Sequence, residues 1–278
     1  MAILSIQSAV AVGYVGNAMA EPALNALGHE VWRVDTVAFS NHPGRGPFTG
    51  DARTPEEVKD IVQGIANLVE LSSCTAVLSG YLGEAGTADS VAQAVTFVKQ
   101  ANSEAFYILD PVLGDNGQVF VAAGILEAMR DQLVPLADIV LPNPSELSWL
   151  TGRQVTDAEE ALAAARALLA EGPNQVVVTG LVEGDEVANY LITANTTLRA
   201  ASTKRDRRFN GTGDLFAALF IGWLLRSASP AQALASSVAG LEIVMDETLR
   251  LGFEDLAIIP CLTSLAAAGE VPTALLPD

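Results

Sequence analysis

Short apolar runs rich in Val, Ile, Leu and aromatic residues alternate with helix-like patterns along most of the chain. The runs Ile3–Gln7, Val31–Phe39, Ala76–Ser79, Phe106–Asp110, Asp138–Leu141 and Gln175–Thr179 predict strands. Helix starts stand between them. Thr54-Pro55-Glu56-Glu57 offers an N-cap, a proline at the first helical position and a capping-box glutamate. Thr156 to Glu159 repeats the box, and Gly172-Pro173 ends that helix. Near-continuous apolar strands separated by helices predict an α/β fold with a mostly parallel sheet and helices on both faces. The rhythm then changes: Val187–Thr193 and Thr197–Ser202 predict an antiparallel hairpin at a sheet edge. Pro230–Leu249 and Asp255–Ala268 predict helices that cover the sheet.

No break in composition, internal repeat or low-complexity linker divides the 278 residues, so one domain over 1–278 is expected. Half of the residues are hydrophobic, enough for a large core. Cys74 and Cys261 lie far apart without a CxxC or His partner pattern, which fits a reducing cytoplasm and argues against a disulfide framework or zinc site. The N-terminus has no basic region followed by a long apolar stretch, so no signal peptide is expected. The apolar run Leu215–Leu225 is too short to span a bilayer. A net charge of −18 disfavours nucleic acid and anionic membranes as partners. It also opposes binding of a nucleoside triphosphate unless Mg²⁺ and local dipoles screen the site.

In open α/β sheets ligands bind beyond the carboxyl ends of the strands, and here those ends are polar. They read Gln7-Ser8 followed by Gly13-Tyr14-Val15-Gly16-Asn17, then Ser40-Asn41-His42-Pro43-Gly44 and Ser79-Gly80-Tyr81-Leu82-Gly83. Further along come Asp110-Pro111 through Asp115 to Gly117, then Pro142-Asn143-Pro144-Ser145-Glu146, and Thr179-Gly180. Asp110 is either a turn-forming residue before proline or a ligand for Mg²⁺ or water. Asn143 and Glu146 have capping-box spacing, and Glu146 could also hold water around a cation. Tyr81 either stacks on a planar ring or is a half-buried strand-end aromatic. His42 reads as structural or ring-contacting, because no second histidine accompanies it. Ser8 either hydrogen-bonds a ring substituent or caps the turn that follows.

The segment Phe209 to Phe220, FNGTGDLFAALF, carries the sharpest chemistry. Gly211 and Gly213 let backbone approach a ligand, and the helix that follows aims its unpaired N–H groups at the turn. Asp214 is then either a favourable first-turn charge or a base that accepts the proton of a hydroxyl attacking a phosphoryl group. The basic run Arg205, Arg207, Arg208 reads as a solvated loop or as a reach toward that phosphate.

These elements in this order resemble the ribokinase-like superfamily and, within it, the pyridoxal kinases. The similarity rests on SIQS (5–8), GYVGN (13–17), FSNH (39–42), SGYLG (79–83), DPVLGDNG (110–117), VPLADIVLPNPSEL (134–147) and FNGTGD (209–214). The resemblance implies a ribokinase-like three-layer sandwich and ATP-dependent phosphorylation of the 5′-hydroxymethyl group of pyridoxal, with Mg²⁺ and often K⁺, in a homodimer. It implies Asp214 as general base and the N–H groups of Gly211, Thr212 and Gly213 as the anion hole. Ser8, Val15, His42, Pro43 and Tyr81 would face the pyridine ring. Asp110, Asp115, Phe120, Asn143, Glu146, Thr179 and Gly180 would surround ATP, with Asp110 and Glu146 nearest the metal. The chain departs from the family at Ala9 (usually histidine), Pro43 (commonly threonine) and Gly180 (often serine). It also lacks a cysteine on the flap, which reads Gln118-Val119-Phe120. The alternatives are a hydroxymethylpyrimidine or sugar kinase of the same fold, and a vitamer-binding protein with little turnover.

Overall fold

The apolar runs become strands because each can bury both faces at once. A computed structural model describes residues 1–227 and 229–276; Ala228, Pro277 and Asp278 of the expected 1–278 domain lie outside the described residues. The first half holds β1 (Ala2–Val12), α1 (Asn17–Ala26), β2 (Glu30–Asn41), β3 (Gly50–Ala52), α2 (Pro55–Leu68), β4 (Cys74–Ser79), α3 (Thr87–Ala101), β5 (Phe106–Leu109), β6 (Gly114–Asp115), β7 (Gln118–Val119) and α4 (Ile125–Ala128). The second half holds β8 (Ile139–Val140), α5 (Pro144–Thr151), α6 (Ala158–Leu169), β9 (Gln175–Glu183), β10 (Glu186–Ile192), β11 (Thr197–Thr203), α7 (Thr212–Ser227), α8 (Pro230–Leu251), α9 (Ile258–Ala266) and β12 (Thr273–Leu276).

Ten strands form one sheet in the order β12-β11-β10-β9-β8-β5-β4-β1-β2-β3. The six from β2 to β9 pair in parallel. Alternate side chains of each strand enter opposite layers. Leu4, Ile6, Tyr107 and Leu109 join a core with Val58 and Val62 of α2, Val91 and Val95 of α3, and Ala161 and Ala164 of α6. Ile3 and Ile108 join the other core, with Met19 and Ala23 of α1, Leu215 to Leu224 of α7, and Leu234 and Val238 of α8. The result is the three-layer α/β sandwich expected from the pattern. Among the described residues no helix is long and apolar enough to cross a membrane.

Several details differ from the expectation. The hairpin β10–β11 is antiparallel as expected, but β12 pairs outside it, so β11 is not the last strand. The short strands β3, β6, β7 and β12 carry too little apolar alternation to be predicted. The cap of α6 falls one residue later than expected. Asp157 accepts from Glu160 N at 2.9 Å, and the Glu160 carboxylate returns to Thr156 N at 2.8 Å. Aspartate caps as well as threonine does. The box at Thr54 and Glu57 is present as read. Finally, β9 does not stop at Thr179 but runs on to Glu183, with a register irregularity against β10 between Ala188 and Tyr190.

Candidate active site

The site forms where the loop after β1 meets the turn before α7, two segments nearly two hundred residues apart in sequence. Gly211 has φ +85°, and a Cβ there would lie 2.2 Å from the Tyr14 carbonyl oxygen and 3.4 Å from Val15 Cγ1. Glycine is therefore required twice, for its left-handed backbone and for the contact. Gly16, at φ +53°, is equally confined: a Cβ would lie 2.2 Å from Ser8 O and 2.4 Å from Ser8 Oγ. These two contacts bring Ser8, Val15, Gly211 and Asp214 together. Asp214 stands in the first turn of α7, where N–H groups lack intrahelical acceptors. Burial pushes its carboxyl up to about 6, against the stabilising effect of the Gly16 N–H that faces it.

A second acidic pair lies at the ends of β5 and β8. Asp110 is buried, and its Oδ2 has no hydrogen-bond partner. Its pKa is raised well above the usual aspartate range, first by burial, then by the charges of Glu146 and Asp214. Glu146 is also buried and raised, chiefly by burial; N–H bonds from the Asn143 and Leu113 backbones oppose that shift, and the charge of Asp115 adds to it. Glu146 does both jobs offered by the sequence. It accepts from Asn143 N at 2.9 Å and Leu113 N at 3.1 Å, while Asn143 Oδ1 accepts from Glu146 N at 3.0 Å. The capping box thus orders α5 and also fixes a carboxylate beside Asp110. Asn143 Nδ2 holds Gly114 O at 2.8 Å, which anchors the β6–β7 ribbon to the start of α5. The Thr179 N–H donates to Pro142 O at 3.0 Å, so Thr179 borders the same helix start.

The remaining candidates lie around these two centres. His42 caps a short turn, its Nδ1 accepting from Gly44 N at 3.1 Å. Burial lowers its pKa, and the charge of Asp255 opposes that. Pro43 occupies the first position of that turn, where its fixed φ is favourable. A Cβ on Gly44 would lie 3.9 Å from Asn210 Nδ2, so this loop reaches the glycine turn. Arg45 ties it down through Asp255 at 2.6 Å and Glu254 at 2.8 Å. Tyr81 is half-buried, its carbonyl held by Thr36 Oγ1 at 2.6 Å. Gly180 is exposed with φ +75°, a conformation that favours glycine over the serine of the family, and its N–H donates to Asn189 Oδ1 at 3.1 Å. Phe120, just past the β6–β7 ribbon, is 59 % exposed. Of the basic run, Arg205 is tied to Glu242 and Asp246 of α8 and Arg207 to the Glu254 carbonyl, while Arg208 donates to Asn116 Oδ1 at 2.9 Å. The part of the site that sequence reasoning missed is the Gly16 N–H on Asp214. Its only signal was the Gly-Asn pair at 16–17.

Comparisons with known proteins give the family and the fold. The family model for phosphomethylpyrimidine kinase matches residues 48–258. The chain is 43 % identical to pyridoxal kinase PdxY of Deinococcus radiodurans, over 96 % of this chain and 92 % of the relative. It is 40 % identical to pyridoxal kinase PdxY of Rubrobacter xylanophilus, over 95 % and 93 %. The structure of pyridoxal kinase from Leishmania donovani in complex with ADP and pyridoxamine superimposes with a TM-score of 0.94 at 27 % identity, covering 99 % of both chains.

The contact at Gly211 yields one expectation. Gly211→Ala forces both a positive φ and a clash with the Tyr14 carbonyl. It should lower stability by about 1–3 kcal/mol, read as a drop in thermal midpoint, and should remove activity, whereas Gly213→Ala, with open space around its Cβ position, should keep the fold. Equal midpoints for the two variants would contradict the contact. With its glycine turn, buried acids, family match and relatives of 40 % identity or more all in agreement, the chain belongs to the pyridoxal kinase family of ribokinase-like fold.

Proposed function

We propose that this protein transfers the γ-phosphoryl group of ATP to the 5′-hydroxymethyl group of pyridoxal. The observation that carries this reading is Asp214, a desolvated carboxylate raised to about 6, set among the free N–H groups at the start of α7. A group with that pKa is mostly ionised at neutral pH yet basic enough to accept a hydroxyl proton. As the hydroxyl oxygen bonds to phosphorus, its proton passes to Asp214, the β–γ bridge P–O bond breaks and ADP leaves. The N–H groups of Gly211, Thr212 and Gly213 would face the equatorial oxygens, where negative charge accumulates. Ser8, Val15, His42, Pro43 and Tyr81 would hold the ring. Asp115, Phe120, Asn143, Thr179 and Gly180 would border the nucleotide.

The residues present fit Mg²⁺. It takes one or two carboxylates together with substrate phosphates and water, and Asp110 and Glu146 supply buried oxygens, one without any partner. When bound, the ion would neutralise charge on the phosphate oxygens. Asp110 and Glu146, pushed toward protonation by burial and by neighbouring carboxylates, are the groups on this chain that would hold it.

The phosphomethylpyrimidine kinase description of the family model favours a pyrimidine alcohol as the second substrate class, with the same base and turn. Cys74 and Cys261 are both buried, and a cytoplasmic location belongs to the same reading. A homodimer belongs to the same reading; sedimentation should give the mass of two chains, and a single-chain mass at micromolar concentration would count against it.

Formation of pyridoxal 5′-phosphate from pyridoxal, followed by its absorbance, should require both ATP and Mg²⁺. Asp214→Asn should lower kcat by about 10³-fold while pyridoxal still binds. Turnover of hydroxymethylpyrimidine but not pyridoxal would transfer the reading to the second substrate, and unchanged kcat in the variant would remove Asp214 from the chemistry.

A further inference from the structure

Beneath the residue 13–16 loop lies a polar cluster of Ser5, Gln7 and Asn17, each 0 % exposed. Buried polar groups are mostly bonded, and these bond to one another, although Gln7 Oε1 has no partner. Ser5 Oγ donates to Asn17 Oδ1 at 2.7 Å, and Gln7 Nε2 donates to Ser5 Oγ at 2.9 Å. The Asn17 amide nitrogen faces three acceptors: Asp35 Oδ1 at 2.8 Å, Val34 O at 2.9 Å and Gln7 O at 3.3 Å. One side chain therefore joins α1, β1 and β2. It does so where the β1–β2 ladder shifts register, between Gln7 and Ala9, the point at which Ser8 leaves regular pairing.

Asn17 is an odd choice for the first residue of a helix on local grounds alone. The cap position before it, Gly16, makes no side-chain cap bond, and a capping side chain would normally stand there. None can, because any Cβ at Gly16 would collide with Ser8. The amide one position later turns inward and fastens the loop to the sheet instead. The Gly16 peptide N–H, one residue before α1, is the backbone donor that opposes the upward shift of the Asp214 carboxyl.

We propose that Asn17 is a positioning residue for phosphoryl transfer: its buried amide pins the residue 13–16 loop to β1 and β2, holding the Gly16 N–H on Asp214 and Ser8 beside it. This inference rests on the kinase reading. It assigns to Asn17 no contact with substrate or nucleotide; it acts through Gly16 and Ser8.

Asn17→Ala removes the contacts of Asn17 to Ser5, Gln7, Val34 and Asp35, and Ser5→Ala removes its bonds to Asn17 and Gln7 while leaving the Asn17 donors in place. In Asn17→Ala, kcat should fall by about 10–100-fold, the scale expected when a reacting group shifts by an ångström, with the KM for ATP within about twofold of wild type. Combined with Asp214→Asn, Asn17→Ala should change the residual rate by less than about twofold, since the group it positions is gone. A general loss of structure would instead lower both backgrounds alike. The Gly16 amide proton resonance of the ligand-free protein gives a readout independent of turnover. It should move upfield in Asp214→Asn and in Asn17→Ala, and should move less in Ser5→Ala, which also serves should Asn17→Ala not fold. Wild-type kcat in folded Asn17→Ala, full additivity with Asp214→Asn, or an unmoved Gly16 resonance would each overturn the proposal. Absence of pyridoxal turnover in the wild type would overturn the kinase reading instead, and the Gly16 resonance would still decide whether Asn17 places that N–H.

Discussion

The site depends on one close approach, that of the Tyr14 carbonyl to the Gly211 α-carbon, where even a methyl group would lie 2.2 Å from oxygen. It joins the first loop of the chain to the turn that starts α7. Because β1 is paired on both sides, by β2 and β4, and α7 packs on α1 and α8, neither segment can retreat without disturbing the core that holds Met19, Leu219 and Phe220. Asp214, three residues past that contact, is raised by burial. A shift of two pKa units in a carboxyl corresponds to nearly 3 kcal/mol between its charged and neutral forms. The fold bears that cost at a place where a base is needed.

The second constraint is charge. A chain with net charge −18 sets two buried carboxylates, Asp110 and Glu146, and half-buried Asp214 in one region, where the charges of the other two act on Asp110. In isolation this arrangement is unfavourable, because burial and like charges both oppose ionisation. It becomes sensible if a cation and polyanionic phosphates complete the site, since each then offsets the other. The protein contributes little positive charge of its own there. Arg205 and Arg207 are engaged elsewhere, Arg208 reaches only Asn116, and Arg45 serves to tie the His42 loop to Glu254 and Asp255. Backbone N–H groups are what the chain itself offers to an anion.

Much of this was legible in the sequence. The parallel strands were readable because both faces of β1, β4, β5 and β9 are buried, which leaves near-continuous apolar runs. Capping boxes at Thr54 and Asn143 were readable because their chemistry is local. The strands β3, β6, β7 and β12 were not, since two to four residues carry no periodicity. The continuation of β9 past Gly180 was hidden because glycine reads as a stop, whereas here it marks an irregularity in a longer strand. Asp214 could be named from its glycine turn, but the N–H that meets it could not. That donor is a backbone group, and its position is set by contacts between Ser8, Asn17 and β2 that lie far apart in sequence.

The central claim is that Asp214 works as a desolvated base. The most direct measurement is the pH dependence of kcat/KM for pyridoxal, corrected for titration of the substrate itself. A base with a raised pKa loses activity as it takes up its proton, so the rate should be level above about pH 7 and fall about tenfold per unit below about 6. A profile that stays flat to pH 5, with its midpoint at the ordinary aspartate value near 4, would contradict the account.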